Sequence, residues 1–187
     1  MRERTAKELI QLAILTAISI VLVYLVRFPI FPSAPFLEYD MADVPILIGT
    51  FLFGPVSGLL LTVAVSILQG LTVSAQSGWI GIIMHIVATG TFVIVAGVIY
   101  RLEHTRKGAV LALICGSIAM TLMMIPLNLI FTVYFMGVER AVVVAMLPKV
   151  IVPFNLIKAS GNSIITFLVY KQVGRALRLE TDNSRKM

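Results

Sequence analysis

Near the end of the chain, the stretch PFNLIKASGNS (153–163) places Asn155, Lys158 and Asn162 in an otherwise apolar run. Their i, i+3, i+7 spacing puts all three on one face of a helix with 3.6 residues per turn. Amide and ammonium groups of this kind can hold a ligand by hydrogen bonds. A lysine at membrane depth costs about 2.5–3.5 kcal/mol on insertion scales, so such a group faces a cavity or a partner. Two plainer readings stand beside this one. Lys158 lies about 7–8 Å along a helix from Pro153, at 1.5 Å per residue, and from there it can snorkel to headgroups. The asparagines can glue helices together.

Other polar groups are candidates for the same task. Asn128 and Thr132 stand four residues apart just after Pro126, which removes a backbone hydrogen bond and frees a carbonyl. Gln69 and His85 are single polar groups in apolar runs, where packing is the plainer reading. The loop FPSAPFLEYDMADVP carries Glu38, Asp40 and Asp43 within six residues, with Leu37 just before them and Tyr39 between the first two. No His or Cys accompanies these carboxylates, so a metal site is not expected. A stiff lid is the better reading: Phe36 and Tyr39 can stack on a flat ligand, and the carboxylates can accept from hydroxyls. Catalysis has one remote candidate, an intramembrane serine hydrolase using Ser163 with His85 as base. GxxxxGK[ST], HExxH and CxxC are all absent, so a P-loop ATPase is excluded.

The elements that must position these residues follow from composition. Of 187 residues, 59% are hydrophobic and 13% charged, against about 25% charged in soluble domains. Apolar runs near 20 residues match a bilayer core of about 30 Å. We therefore expect an all-α, polytopic membrane protein forming a single domain. Its six helices are expected at 8–27, 44–53, 55–73, 79–100, 108–136 and 150–171, with a tail over 172–187. The N-terminal apolar stretch is too long for a signal peptide and reads as the first helix. The single cysteine, Cys115, lies in an apolar run and has no disulfide partner.

Six crossings put both termini on one side. Arg2, Arg4, Lys7, Arg101, Arg106, Lys107, Lys171, Arg175, Arg178, Arg185 and Lys186 fall there, against Arg27, Arg140 and Lys149 on the other. Eleven against three places the termini in the cytoplasm and the acidic loop outside, between helices 1 and 2. Basic residues grouped in short loops, without interleaved aromatics, do not suggest a nucleic-acid surface. Ala13 and Ala17, four apart, form a small-xxx-small face on the first helix.

The stretches FPIFPSAPFLEYDMADVPILIGTFLFGPVSG and IVPFNLIKASGN together resemble the riboflavin-specific S components of energy-coupling factor (ECF) transporters. The DVP and PFNxxK pieces carry most of the likeness, which spans most of the chain. The resemblance implies a six-helix cell-membrane protein, not an enzyme, that captures a vitamin from outside. Asn128, Asn155 and Lys158 match positions that hydrogen-bond the heteroatom edge of the isoalloxazine ring, and Leu37, Glu38, Tyr39 and Asp40 match the lid. Ala13 and Ala17 match the alanines by which S components dock on a transmembrane coupling subunit. Energy then comes from two partner ATPases, and riboflavin is cargo, with no cofactor implied. Segment four departs from the pattern: GWIGIIMHIVATG carries His85 where the family leads one to expect asparagine, which bears on the ligand's tail. FMN, an analogue or another vitamin are the alternative substrates.

Overall fold

The computed structural model describes residues 6–183, with side chains described as far as Ala176. Arg2, Arg4, Arg185 and Lys186 of the charge comparison lie outside the described residues, as does the side chain of Arg178. The chain runs α1 (Ala6–Leu25), β1 (Arg27–Pro29), β2 (Glu38–Asp40), α2 (Asp43–Phe53), α3 (Pro55–Leu71), α4 (Gly78–Leu102) and α5 (Arg106–Leu127). A π-helical turn (Asn128–Thr132) leads into α6 (Val133–Met136). α7 (Arg140–Met146), a second π turn (Leu147–Ile151) and α8 (Val152–Asn183) complete it.

Four helical stretches among the described residues are long and apolar enough to cross a membrane: Ala6–Leu25, Ala75–Leu102, Arg106–Met136 and Arg140–Ala176. α2 and α3 are apolar but shorter. The outside of the bundle is apolar where lipid would touch it, with Val21, Leu68, Val98, Ile114, Leu122 and Leu168 all exposed. Several hydroxyls inside are capped by their own helices: Thr50 donates to the Ile46 carbonyl, Thr62 to Gly58 and Ser117 to Leu113. That satisfies them where water is absent.

Sequence punctuation explains the tight α2–α3 corner. Gly54 adopts φ +91°, a conformation that favours glycine, and Pro55 opens α3. Gly97 on α4 then meets this corner closely. A Cβ there would lie 2.8 Å from Pro55 Cβ, so the glycine is what lets α4 pack against the turn.

The structure corrects two boundaries. The stretch before 150, outside the six expected helices, is helical from Arg140, because Pro148 enters a π turn that carries the chain on into α8. The final helix also continues past 171 to Asn183, into the expected tail. The long first loop is not wholly irregular either. Arg27–Pro29 pairs antiparallel with Glu38–Asp40, in the register Arg27↔Asp40, Phe28↔Tyr39, Pro29↔Glu38. Its tip packs on a small separate core of Ala34, Leu37, Val143, Ile151 and Phe154. The hairpin is thus pinned to the α7–α8 region, above the main core shared by α1–α5 and α8.

Candidate binding site

Both cavity asparagines stand where a helix departs from the regular ladder. Pro126 brings no N–H, so the carbonyl one turn earlier loses its donor, and the chain widens into the Asn128–Thr132 π turn. Asn128 Nδ2 donates to the Met124 carbonyl (2.7 Å), and Thr132 Oγ1 donates to Asn128 Oδ1 (2.7 Å). On the other long helix, Pro148 introduces the Leu147–Ile151 π turn, and Asn155 Nδ2 donates to the Ile151 carbonyl (2.8 Å). Isolated π turns of this kind gather at functional sites. Each asparagine is 1% exposed, and each Nδ2 keeps a second N–H beyond its local bond.

These side chains line one wall of a cavity of about 180 Å³ under the hairpin. That wall combines Met120, Met124, Asn128 and Thr132 from α5 and its π turn with Phe154, Asn155 and Lys158 from α8. The facing wall is Ser66, Gln69 and Gly70 of α3, Ser74 and Ser77 of the following turn, and Gly81, Met84 and His85 of α4. Arg27, Phe36, Leu37, Glu38 and Asp40 close the top. The volume is below the roughly 300–1,000 Å³ usual for small-molecule sites, so the lid or the flexible methionines must give way to admit a three-ring ligand.

Charges at the cavity are paired. Lys158 Nζ donates to Asp40 Oδ2 (2.7 Å), tying α8 to β2. Lys158 is 8% exposed, so it does not snorkel. Arg27 forms an ion pair with Glu38 (Nε to Oε2, 2.7 Å) across the hairpin and also donates to the Val73 carbonyl. The loop carboxylates therefore accept from protein cations first, rather than standing free for ligand hydroxyls.

Asn162 and Tyr39 are placed differently from what was expected. Side chains alternate along a strand. Glu38 and Asp40 line the cavity, whereas Tyr39 turns away, packs at a tilt against Phe28 (5.4 Å between centroids) and donates to Asn162 Oδ1 (3.0 Å). Burial raises the Tyr39 phenol above its ordinary value, against a lowering influence of Lys158. Asn162 Nδ2 reaches the Asp40 carbonyl (3.1 Å) and Asp43 Oδ2 (3.3 Å). Tyr39 thus holds the lid from behind, and Asn162 straps it to α8.

Sequence reasoning passed over the network beyond Asn162. Asp43, fully buried, accepts from Thr89 Oγ1 (2.9 Å) and His85 Nε2 (3.2 Å). His85 Nδ1 lies 2.8 Å from Ser66 Oγ. A signal was present: an aspartate opening an apolar helix, with a histidine and a threonine one helical turn apart on another. His85 is therefore anchored by Asp43 and Ser66 while lining the cavity. Ser163 pairs with Ser117 (3.0 Å) instead, so the proposed serine–histidine couple does not form. No group of three or more His, Cys, Asp and Glu with metal-site geometry occurs among the described residues.

Comparison with known proteins decides the family. The family model described as "ECF transporter, substrate-specific component" matches residues 7–170. The chain belongs to this family. The ECF substrate-specific components are transporter parts, which agrees with the spanning-capable helices in marking an integral membrane protein. Similar relatives include the riboflavin transporter RibU of Staphylococcus aureus, 32% identical over 92% of this chain and 93% of the relative. The riboflavin transporter FmnP of Bacillus subtilis is 27% identical, covering 88% and 90%. A solved structure described as the S component of a bacterial ECF transporter superposes with a TM-score of 0.80 at 32% identity, over 93% of this chain and 99% of that one.

Both alanines expected at the docking face, Ala13 and Ala17, are exposed on α1. The opposite face of the helix buries Gln11, Leu12, Leu15, Ser19 and Val23.

Proposed function

We propose that this chain is the riboflavin-capturing subunit of an ECF importer in the cell membrane. The reading adopts six crossings within one domain, with α2 and α3 as short spans, both termini and the 172–187 tail cytoplasmic, and the hairpin outside. Riboflavin enters beneath the hairpin. Its apolar ring face lies against Phe36, Leu37, Met120, Met124 and Phe154, and its heteroatom edge meets Asn128, Asn155 and Lys158. Glu38 and Asp40 close over it from the strand.

One observation carries the reading: Asn128 in one π turn, Asn155 bonded to the end of another, and a lysine buried beside them converge on one roofed cavity in a chain whose relatives are named riboflavin transporters. A bilayer offers such groups no water. A planar ligand with several donors and acceptors completes their hydrogen bonding. Lys158 keeps N–H donors beyond the one given to Asp40, and these serve a ring carbonyl.

The exposed Ala13–Ala17 face supports docking on the membrane coupling subunit, with partner ATPases supplying the energy. Ala13→Trp should then abolish uptake in cells while leaving riboflavin binding by the purified chain unchanged. The direct test of cargo is what co-purifies. Protein from riboflavin-fed cells should be yellow, with a flavin identified by mass. A colourless, folded preparation that also takes up no added riboflavin would refute the assignment.

A further inference from the structure

The end of the bundle opposite the hairpin holds a second, unassigned pocket of about 780 Å³. Its floor is aromatic: Phe51 lies 4.3 Å from Tyr100 and 5.6 Å from Tyr170, between ring centroids. Its rim is basic, formed by Arg106, Lys171 and Arg175, with His104 beside them. All three cations are exposed. No carboxylate lines the pocket, and none pairs with these three among the described residues. This contrasts with the hairpin end, where Arg27 and Lys158 each have a carboxylate partner.

The pocket is not isolated. Phe167 and Leu168 line both it and an apolar groove of about 420 Å³ between α5 and α8. The groove runs up α8 from Leu168 to Leu156 and along α5 from Val110 to Ile118. The α8 side spans about 18 Å at 1.5 Å per residue, close to one leaflet of a hydrocarbon core of about 30 Å. Its walls are mostly aliphatic, and of its three serines Ser117 and Ser163 are bonded to each other while Ser160 completes the lining.

A basic socket joined to an apolar trough one leaflet long matches one class of occupant. We propose that this surface binds an anionic phospholipid. Its phosphate sits against Arg106, Lys171 and Arg175, its glycerol region over the aromatic floor, and one acyl chain lies in the α5–α8 groove. Basic pockets between membrane helices are general sites for anionic headgroups, and arginine holds phosphate by paired hydrogen bonds. A free anion would use the socket alone; the contiguous groove favours a lipid. The proposal does not depend on the identity of the transported vitamin.

Native mass spectrometry of the full chain in detergent tests it, with phosphatidylglycerol and phosphatidylcholine of identical acyl chains offered together. Each basic side chain beside an anionic headgroup is worth roughly fivefold in binding. We expect phosphatidylglycerol to be retained at least about tenfold over phosphatidylcholine, given the three cations. The triple variant Arg106→Gln, Lys171→Gln, Arg175→Gln should melt like the wild type and lose the preference. Ser160→Phe, which fills the groove, should weaken retention of both lipids. Equal retention of the two lipids by the wild type, or an unchanged preference in the triple variant, would overturn the proposal. So would glycerol phosphate competing as well as the intact lipid, which would make this an anion socket with no role for the groove.

Discussion

Two neighbouring regions of α8 use the same residue type to opposite ends. Asn162 spends its amide inside the protein, on the Asp40 carbonyl, Asp43 and Tyr39. Two turns earlier, Asn155 makes one local bond to the Ile151 carbonyl, and its Oδ1 takes no donor from the described residues. The first region is a closed polar network in which Asp43, His85, Thr89 and Ser66 satisfy one another. The second is a cavity wall with bonding capacity left over. The comparison teaches that a buried polar group is not by itself a binding group. What matters is whether its partners are already present, because a satisfied network stabilises and specifies the fold while a half-satisfied wall waits for a ligand.

The largest effect should come from breaking the closed network. Asp43→Ala leaves the His85, Thr89 and Asn162 donors without their acceptor at a fully buried position. Removing one partner from such a site costs about 3–5 kcal/mol. A thermal melt in detergent should show a marked loss of stability; a melt equal to the wild type would show that the network is not holding the fold.

Changing the open wall should do the reverse. Asn155→Leu forfeits a ligand hydrogen bond and removes only one local bond inside the protein, that to the Ile151 carbonyl. The loss to affinity should be about 1.5–3 kcal/mol, or roughly 10–100-fold, with little change in melting. Comparable losses of stability and affinity would erase the distinction between the two regions.

Tyr39→Phe should have the smallest effect. It removes one partly buried hydrogen bond to Asn162, worth about 0.5–1.5 kcal/mol of stability, and should leave riboflavin affinity within about twofold because Tyr39 does not line the cavity. Its phenol also titrates in a defined direction. Burial raises it above the ordinary value of 10, so the folded state holds the proton longer than the unfolded chain. That contribution is fully present below pH 10 and is lost as the pH climbs past 10 through the raised value. The wild type should therefore lose slightly more stability than Tyr39→Phe in melts above pH 10; parallel curves would place the phenol in contact with water.

Much of this was legible in the residues. Apolar run length gave the helices, GP at 54–55 gave the α2–α3 corner, and the polar face of PFNLIKASGN gave the cavity lysine and one of its asparagines. Asn128 was flagged by its proline. The rest depended on contacts distant in sequence. Nothing near Asn162 announces that the Asp40 carbonyl and Asp43 will arrive from 122 and 119 residues away. The lid reading of the loop carried no strand pairing; with Glu38–Asp40 paired to Arg27–Pro29, strand alternation turns Tyr39 to the side opposite Glu38 and Asp40. The last helical stretch, expected from 150, starts earlier because a π turn at Pro148 absorbs the missing N–H and joins the preceding helical segment to it.

The most direct check of the central claim is a riboflavin titration, followed by quenching of flavin fluorescence, on purified wild type and Asn155→Leu of matched melting temperature. The account predicts saturable one-to-one quenching in the wild type and a curve shifted at least about tenfold in the variant. Superimposable curves, or no saturable quenching in a folded wild type emptied of ligand, would contradict it.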